Sequence, residues 1–342
     1  MCIRDRYPMA WGNSPVKNFK KWRKQARATV LDAMLAPPPY TTKYETEILA
    51  EEQREGYRAK KLCFNLTGYS RVNAYVLIPD GEGPFPAVVL LHDHGGHYTI
   101  GKEKMIRPFG VDKAVLDDAD AWAANCYGGQ YAGDYLAAHG YVVISVDALY
   151  WGERGRKEGA DGSKYADNAG NFMMLGRSLS AFMNYEDMYT TDYLATLPEV
   201  DPKRIACMGF SMGGYRAWML SALSDKIQVG AAICWMTTTD CQFSWEYGRE
   251  RGGFANMLPG IRRYLDYPHI ASIACPKPML FLNGEHDKLF PPIGVRAAFA
   301  EMHEVWESRS AGDKLVTELW DMPHDCGKKV QAKILDFLNK WL

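Results

Sequence analysis

The segment RIACMGFSMGGYRAWMLSAL, residues 204–223, decides the fold. Its first seven residues form a mostly apolar run of strand length, and its last nine residues favour a helix. The two parts meet at the Gly-x-Ser-x-Gly sequence of residues 209–213. In a strand–turn–helix setting this pattern forms a sharp turn that exposes the serine. The turn needs glycine on both sides, because a side chain at either position would collide with neighbouring backbone. The segment therefore predicts an α/β protein in which Ser211 is a nucleophile.

A serine hydroxyl is a weak nucleophile at neutral pH, so Ser211 needs a base, and the base needs a carboxylate that orients it. On this kind of fold both partners follow the serine in the chain, the acid before the histidine. Two strand-like segments, residues 278–283 and 315–320, lead into turns that contain Asp287 and His324. We therefore expect Asp287 and His324 to meet Ser211 at the C-terminal edge of a sheet and to form a catalytic triad.

Other residues compete for these two roles. The alternatives are Glu285 and Asp240 for the acid, and His286 and His303 for the base. The Gly-x-x-Asp turn before an apolar-Pro-Pro stretch favours Asp287 as the acid. The position of His303 in a helical stretch, where a histidine usually lies on the surface, favours His324 as the base.

Acyl transfer passes through an oxyanion, which two backbone N–H groups can stabilise. Met212 follows the nucleophile at a helix N-terminus, so its N–H is the first expected donor. The second is expected from HDHGGH, residues 92–97, with His94 preferred and Gly95 as the alternative. The same loop could suggest a zinc site, but residues so close together at a strand end point in different directions, so we predict no metal and no cofactor.

Strand-like runs alternate with helical stretches along most of the chain, which predicts a mostly parallel sheet with helices on both faces. We expect an N-terminal extension, residues 1–58, with an amphipathic helix over residues 18–35 that packs as an arm. The catalytic domain is expected to span residues 59–342. The remaining predicted strands are residues 59–66, 71–78, 87–92, 141–147, 204–210 and 229–235.

Two inserts rich in glycine and polar residues, residues 94–132 and 151–184, interrupt the regular spacing and are expected to form lid loops or pocket walls. Aromatic residues near strand ends are candidates for the substrate pocket. We expect Tyr150, Trp151 and Trp235 to line it. Arg154 could bind a substrate carboxylate there, or hold its own loop through an acidic residue.

The turns at residues 209–214, 284–287 and 323–325 resemble those of α/β-hydrolases, and in particular of acetyl-xylan-esterase-like and dienelactone-hydrolase-like enzymes. The resemblance covers residues 60–342. It implies a serine esterase that forms an acyl-enzyme and needs no cofactor, acting on a carbohydrate ester or another small ester. Simple dienelactone hydrolases use cysteine where this chain has Ser211, which favours ester chemistry.

Two rival functions remain open. A serine peptidase of the prolyl-oligopeptidase type shares this catalytic domain, although the first 60 residues cannot form the propeller that gates such enzymes. A catalytically inactive binding protein could also be built on this scaffold. The pattern does not specify the natural ester or the oligomeric state.

Composition excludes several other classes. Hydrophobic residues are 47% and charged residues 24% of the 342 residues, as in ordinary globular proteins. The net charge is −1 and no basic run is dense, so we expect no nucleic-acid partner. Apolar runs are too short to span a membrane, and residues 1–6 precede no apolar core of a signal peptide, so we expect a cytoplasmic protein with mostly reduced cysteines.

Overall fold

A nine-stranded sheet organises the chain, in the order β1-β2-β3-β5-β4-β6-β7-β8-β9. The computed structural model describes residues 7–155, 162–244 and 253–342, so residues 1–6 and part of the second insert lie outside the described residues. The strands are β1 Glu47–Arg54, β2 Tyr57–Thr67, β3 Ser70–Pro79, β4 Phe85–Leu91, β5 Val142–Val146, β6 Val200–Phe210, β7 Ile227–Ile233, β8 Met279–Gly284 and β9 Leu315–Trp320.

The sheet is parallel from β5 to β9 and antiparallel from β1 to β5. Every residue of β5 and β8 is buried, as expected for strands that are covered on both faces. The predicted mostly parallel sheet is therefore confirmed. Because β4, β6, β7, β8 and β9 all run the same way, the loops at their C-terminal ends meet at one edge.

Helices cover both faces of the sheet. An apolar core lies on each face: α1, α5, α6, α8 and α9 pack on one face, and α3 and α10 on the other. The helices are α1 Phe19–Ala33, α2 Lys113–Cys126, α3 Ala132–Ala137, α4 Gly162–Met174, α5 Leu179–Leu194, α6 Met212–Leu223, α7 Thr239–Gln242, α8 Tyr267–Ala271, α9 Pro292–Ser308 and α10 Lys328–Trp341.

The predicted N-terminal helix is α1, which buries Trp22, Ala26 and Val30 along one stripe. Its Arg27 donates hydrogen bonds to the Ala222 carbonyl and to the Asp225 carboxylate at the end of α6. The helix therefore packs onto the same face of the sheet as α6, the helix that follows Ser211.

Strand β1 was not predicted from the sequence. The domain boundary expected between residues 58 and 59 falls within β2. β1 pairs with β2 as an antiparallel edge strand, so residues 47–58 are part of the sheet. The cause is exposure: the first three residues of β1 are exposed and the others alternate only between exposed and half-buried, so the strand has no apolar alternation to detect.

The described residues contain no helix that is both long enough and apolar enough to cross a membrane. The seven cysteines within them are free thiols.

Candidate active site

The turn between β6 and α6 places Ser211 in a strained conformation, with φ 56° and ψ −122°. A Cβ atom on Gly209 would lie 2.2 Å from the Gly213 carbonyl oxygen, and one on Gly213 would lie 1.8 Å from the Leu91 carbonyl oxygen. The Ser211 N–H donates to the Ile233 carbonyl over 2.8 Å, which fixes the turn to β7. Glycine is therefore required on both sides of Ser211.

His324 and Asp287 form a hydrogen-bonded pair at the ends of β9 and β8. The distance from His324 Nδ1 to Asp287 Oδ2 is 2.6 Å, and the Asp287 side chain is completely buried. The other carboxylate oxygen of Asp287 accepts a 2.8 Å hydrogen bond from the Leu289 N–H. Because Asp287 accepts a hydrogen at Nδ1, the Nε2 atom of His324 is left to act on a substrate or nucleophile.

The competing residues are engaged elsewhere. His286 Nε2 lies 2.6 Å from Asp321 in an exposed pair, and His303 on α9 contacts the Thr317 hydroxyl over 2.8 Å. The carboxylate of Glu285 accepts from Arg296, and that of Asp240 accepts from Arg262. The structure thus brings Asp287 and His324 together, rather than any of the four alternatives.

Ser211 and His324 open into one cleft of about 520 Å³. Phe210 and Phe290 pack against the His324 ring, with ring centroids 4.7 and 6.1 Å away. Within the described residues Ser211 and His324 share the cleft without a direct hydrogen bond, and such catalytic contacts commonly tighten when substrate binds. The cleft is lined by Asp93, His94, Gly95, Gly96, Trp122, Cys126, Phe210, Ser211, Met212, Trp235, Gln242, Gly253, Ala255, Asn256, Leu289, Phe290 and His324.

The loop after β4 carries the candidate oxyanion donors. The Asp93 carbonyl accepts from Lys104 Nζ over 3.1 Å, and the His94 carbonyl accepts from the same atom over 3.2 Å. In a trans peptide the N–H points opposite to the C=O, so the N–H groups of both His94 and Gly95 point away from Lys104. Met212 is the first residue of α6, where backbone N–H groups have no partner within the helix. All three residues that carry the expected donors line the cleft.

Lys104 is completely buried beneath this loop. Besides the two carbonyls, its ammonium contacts the Asp93 carboxylate at 3.3 Å and lies 4.9 Å from the centre of the Trp122 ring. Tyr127 and Trp122 also donate hydrogen bonds to Asp93. Burial lowers the pKa of Lys104, although the Asp93 carboxylate favours its charged form. Lys104 thus holds two consecutive peptide groups in one orientation.

We expect the substitution Lys104→Met to lower kcat for ester hydrolysis about tenfold to a hundredfold, with little change in KM. A single oxyanion donor contributes about 10²- to 10³-fold to kcat, and Lys104 bonds the two peptide groups that carry the candidate donors rather than the substrate. Circular dichroism would show that the variant is folded, and steady-state kinetics would then measure its kcat and KM separately. Lys113→Met, which removes an exposed lysine from α2, is the matched control. An unchanged kcat in Lys104→Met would contradict the positioning role.

Of the candidate pocket residues, Trp235 lines the cleft, whereas Tyr150, Trp151 and Arg154 are not among the residues that line it. Trp151 is completely buried, and its indole N–H donates to the His94 carbonyl over 3.2 Å. Arg154 donates two 2.7 Å hydrogen bonds to Glu186, so its guanidinium is not directed at a substrate. Of the two roles expected for Arg154, the structure thus shows the one in which an acidic residue holds its loop.

His92 has a structural role. Its Nε2 atom accepts from the Ala148 N–H over 2.9 Å, so Nδ1 carries the hydrogen and contacts the Asp93 carbonyl at 2.8 Å. Burial lowers the pKa of His92 well below its ordinary value, which keeps the ring neutral. Both ring nitrogens are therefore already engaged with backbone groups.

Two clusters in the described residues have metal-ligand chemistry. In the first, Asp287 and His324 bond each other, and burial raises the pKa of the Cys234 thiol to about 12, so it stays protonated. The second is Glu103, Asp147 and Glu153, and the Lys102 ammonium lies 2.7 to 2.8 Å from all three carboxylates. The Lys102 ammonium thus occupies the position between these carboxylates that a metal cation would take.

This arrangement of strained serine, buried acid and histidine at the edge of the sheet places the protein among the α/β-hydrolases. Residues 8–308 match the Abhydrolase family designated Abhydrolase_7, and the chain belongs to that family.

YtaP of Bacillus subtilis (strain 168), which is named as a candidate hydrolase, is 28% identical over 317 residues, covering 92% of this chain and 99% of YtaP. A Bacteroides fragilis NCTC 9343 protein named as a candidate acetyl xylan esterase superposes with a TM-score of 0.70 at 22% identity, covering 93% of this chain and 80% of that one. A glucuronoyl esterase from Solibacter usitatus superposes with a TM-score of 0.68 at 15% identity, covering 98% and 97% of the two chains. The expected α/β-hydrolase fold is therefore confirmed.

Proposed function

We propose that this protein hydrolyses carboxylic esters through an acyl-enzyme on Ser211. The observation that carries the proposal is the 2.6 Å hydrogen bond between His324 and the buried Asp287, at the cleft into which the strained Ser211 opens. These are the residue types and the spatial order that nucleophilic serine catalysis needs.

In the first step His324 Nε2 takes the Ser211 proton while Ser211 Oγ attacks the ester carbonyl carbon. The N–H of Met212, with that of His94 or Gly95, stabilises the oxyanion that forms. His324 then gives the proton to the departing alcohol oxygen. Water attacks the acyl-enzyme by the same route, which releases the acid and restores Ser211. Asp287 orients the imidazole and stabilises its cation throughout.

Acetylated carbohydrates are the substrates that we propose. The solved structures that superpose on this chain include proteins named as acetyl xylan esterases and glucuronoyl esterases. The cleft beside Ser211 also has aromatic walls at Trp122, Trp235 and Phe290, which suit a sugar ring. Both observations support a carbohydrate ester over a long-chain lipid ester.

A panel of acetylated xylosides, p-nitrophenyl esters of increasing acyl length and aminoacyl-proline amides tests the proposal. We expect acetates to be hydrolysed fastest and the amides slowly, because the alcohol of an ester is an easier leaving group than the amine of an amide. Faster turnover of the amides would favour a peptidase instead. No turnover of any compound would favour a binding protein.

A further inference from the structure

Two carboxamide side chains in the cleft wall have unmade hydrogen bonds. Gln242, the last residue of α7, is 6% exposed, and Asn256, in the turn Phe254–Asn256, is 8% exposed. Their side-chain oxygens, Gln242 Oε1 and Asn256 Oδ1, are buried and have no hydrogen-bond partner among the described residues. Both residues line the cleft together with Ser211 and His324.

Such groups are unusual, because nearly all buried polar atoms in folded proteins are hydrogen-bonded. Leaving a buried carboxamide without a partner costs folding free energy that leucine at the same position would not cost. Other buried polar atoms of the described residues also have no partner, but Gln242 and Asn256 differ from them in lining the cleft beside Ser211 and His324, where an entering ligand can supply the partners. Rotation about its last side-chain bond lets each carboxamide present either its oxygen or its NH₂ group to that ligand.

The strand order places these residues on the side of the cleft where the alcohol leaves. The loop that carries His94 and Gly95 follows β4, on one side of β6 and its Ser211. Gln242 and Asn256 come from the connection between β7 and β8, on the other side of β6, the side to which His324 after β9 also belongs. Because His324 gives its proton to the alcohol oxygen, groups on its side face the alcohol portion of an ester rather than the oxyanion.

We propose that Gln242 and Asn256 are specificity-determining residues that hydrogen-bond hydroxyl groups on the alcohol portion of the substrate. The proposal rests on the esterase function proposed above and deepens it, since it assigns the recognition of a polyhydroxylated alcohol to two named side chains. Trp235, in the same wall, offers an aromatic face for the ring that carries those hydroxyls.

The test compares two matched pairs of esters on the variants Gln242→Leu and Asn256→Leu and on the double variant. The first pair, methyl monoacetyl-xyloside and cyclohexyl acetate, has the same acyl group and differs in the alcohol. The second pair, ethyl glycolate and ethyl acetate, has the same alcohol and differs in the acyl group. Gln25→Leu, which removes an exposed carboxamide from α1, is the control.

We expect each cleft variant to reduce the kcat/KM preference for the xyloside acetate over cyclohexyl acetate about threefold to tenfold, and the double variant about tenfold to a hundredfold, as for lost neutral hydrogen bonds. The glycolate-to-acetate ratio should stay close to that of the Gln25→Leu control. The melting temperature of each cleft variant should equal or exceed that of the wild type, because an unpartnered buried amide is replaced by an apolar group.

Two results would overturn this proposal while leaving the esterase function in place. One is an unchanged xyloside-to-cyclohexyl ratio in the double variant, and the other is a lower melting temperature with equal losses on all four esters, which would indicate a structural role. Failure of the wild type to hydrolyse any of the four esters would instead refute the esterase function itself.

Discussion

Ester hydrolysis by Ser211→Ala is expected to fall about 10³- to 10⁶-fold in kcat, the range found when one member of a catalytic triad is removed. The reason is local: the substitution removes the attacking oxygen and leaves the turn, the cleft and the His324–Asp287 pair in place. Alanine fits the same backbone, since the serine side chain caps no helix hydrogen bond at this position. The loss should therefore appear in kcat with the melting temperature preserved.

A covalent probe separates the nucleophile from a merely structural serine. A fluorophosphonate should add one phosphonyl group to the wild-type chain, detected by intact mass, and none to Ser211→Ala. Ser224→Ala, just beyond the end of the same helix, should be labelled and active as the wild type is. Full activity or full labelling of Ser211→Ala would show that another residue is the nucleophile.

The sheet could be predicted because its central strands carry their own signal. β5 and β8 are short apolar runs that are buried on both faces, and such runs stand out between polar turns. The edge strand β1 has no such signal, since one of its faces is exposed to water and the other only half-covered. Its pairing with β2 depends on backbone hydrogen bonds, which every residue type except proline can make.

The residues proposed as the triad and those of the cleft wall differ in how far the sequence predicts their positions. Ser211, Asp287 and His324 each follow a predictable strand, so parallel strands bring them to one edge. Gln242 and Asn256 come from the irregular connection after β7, and no periodic pattern places them in the cleft. The sequence left two roles open for Arg154 for a similar reason, because its Glu186 partner lies on α5, 32 residues away.

Buried lysines were the least predictable feature of the site. Charged residues usually lie in water, so the run of residues 101–104 gave no reason to expect that Lys102 and Lys104 would both be completely buried. Each is retained by partners from distant segments. Lys104 bonds the loop after β4, and Lys102 contacts Asp147 after β5 and Glu153 beyond it.

We expect Lys102→Met to lower the free energy of unfolding by about 3–5 kcal/mol, as when one partner of a buried ion pair is removed. Although burial alone would lower it, the carboxylates of Asp147, Glu103 and Glu153 raise the pKa of Lys102 well above its ordinary value, so its ammonium is charged. Methionine would fill the space but leave those carboxylates without their shared cation. Urea denaturation of both proteins at pH 7 would measure the difference. Lys226→Met, which breaks an exposed pair with Asp192, should cost no more than about 1 kcal/mol.

The size of this loss should depend on pH with a defined sign. Burial acts to raise the pKa of Glu153, but Lys102 and Lys61 lower it from an ordinary 4.5 to about 2. A carboxyl whose pKa is lower in the folded state stabilises the fold above pH 4.5, and that contribution disappears as the pH falls towards 2. The wild type therefore loses this stability on acidification, whereas Lys102→Met has less of it to lose. The difference in free energy of unfolding between the wild type and Lys102→Met should therefore become smaller as the pH falls from 4.5 to 2.

A double-mutant cycle shows whether charge, rather than shape, is responsible. In Lys102→Met with Glu103→Gln, one of the unpaired carboxylates becomes neutral while its oxygen can still accept from the Gly101 N–H. The double variant should then be more stable than the sum of the single losses predicts, by about 1–3 kcal/mol. Strict additivity would mean that Lys102 stabilises the fold through packing alone. A coupling of the expected sign would show that this ammonium acts as the fixed counter-ion of a three-carboxylate site.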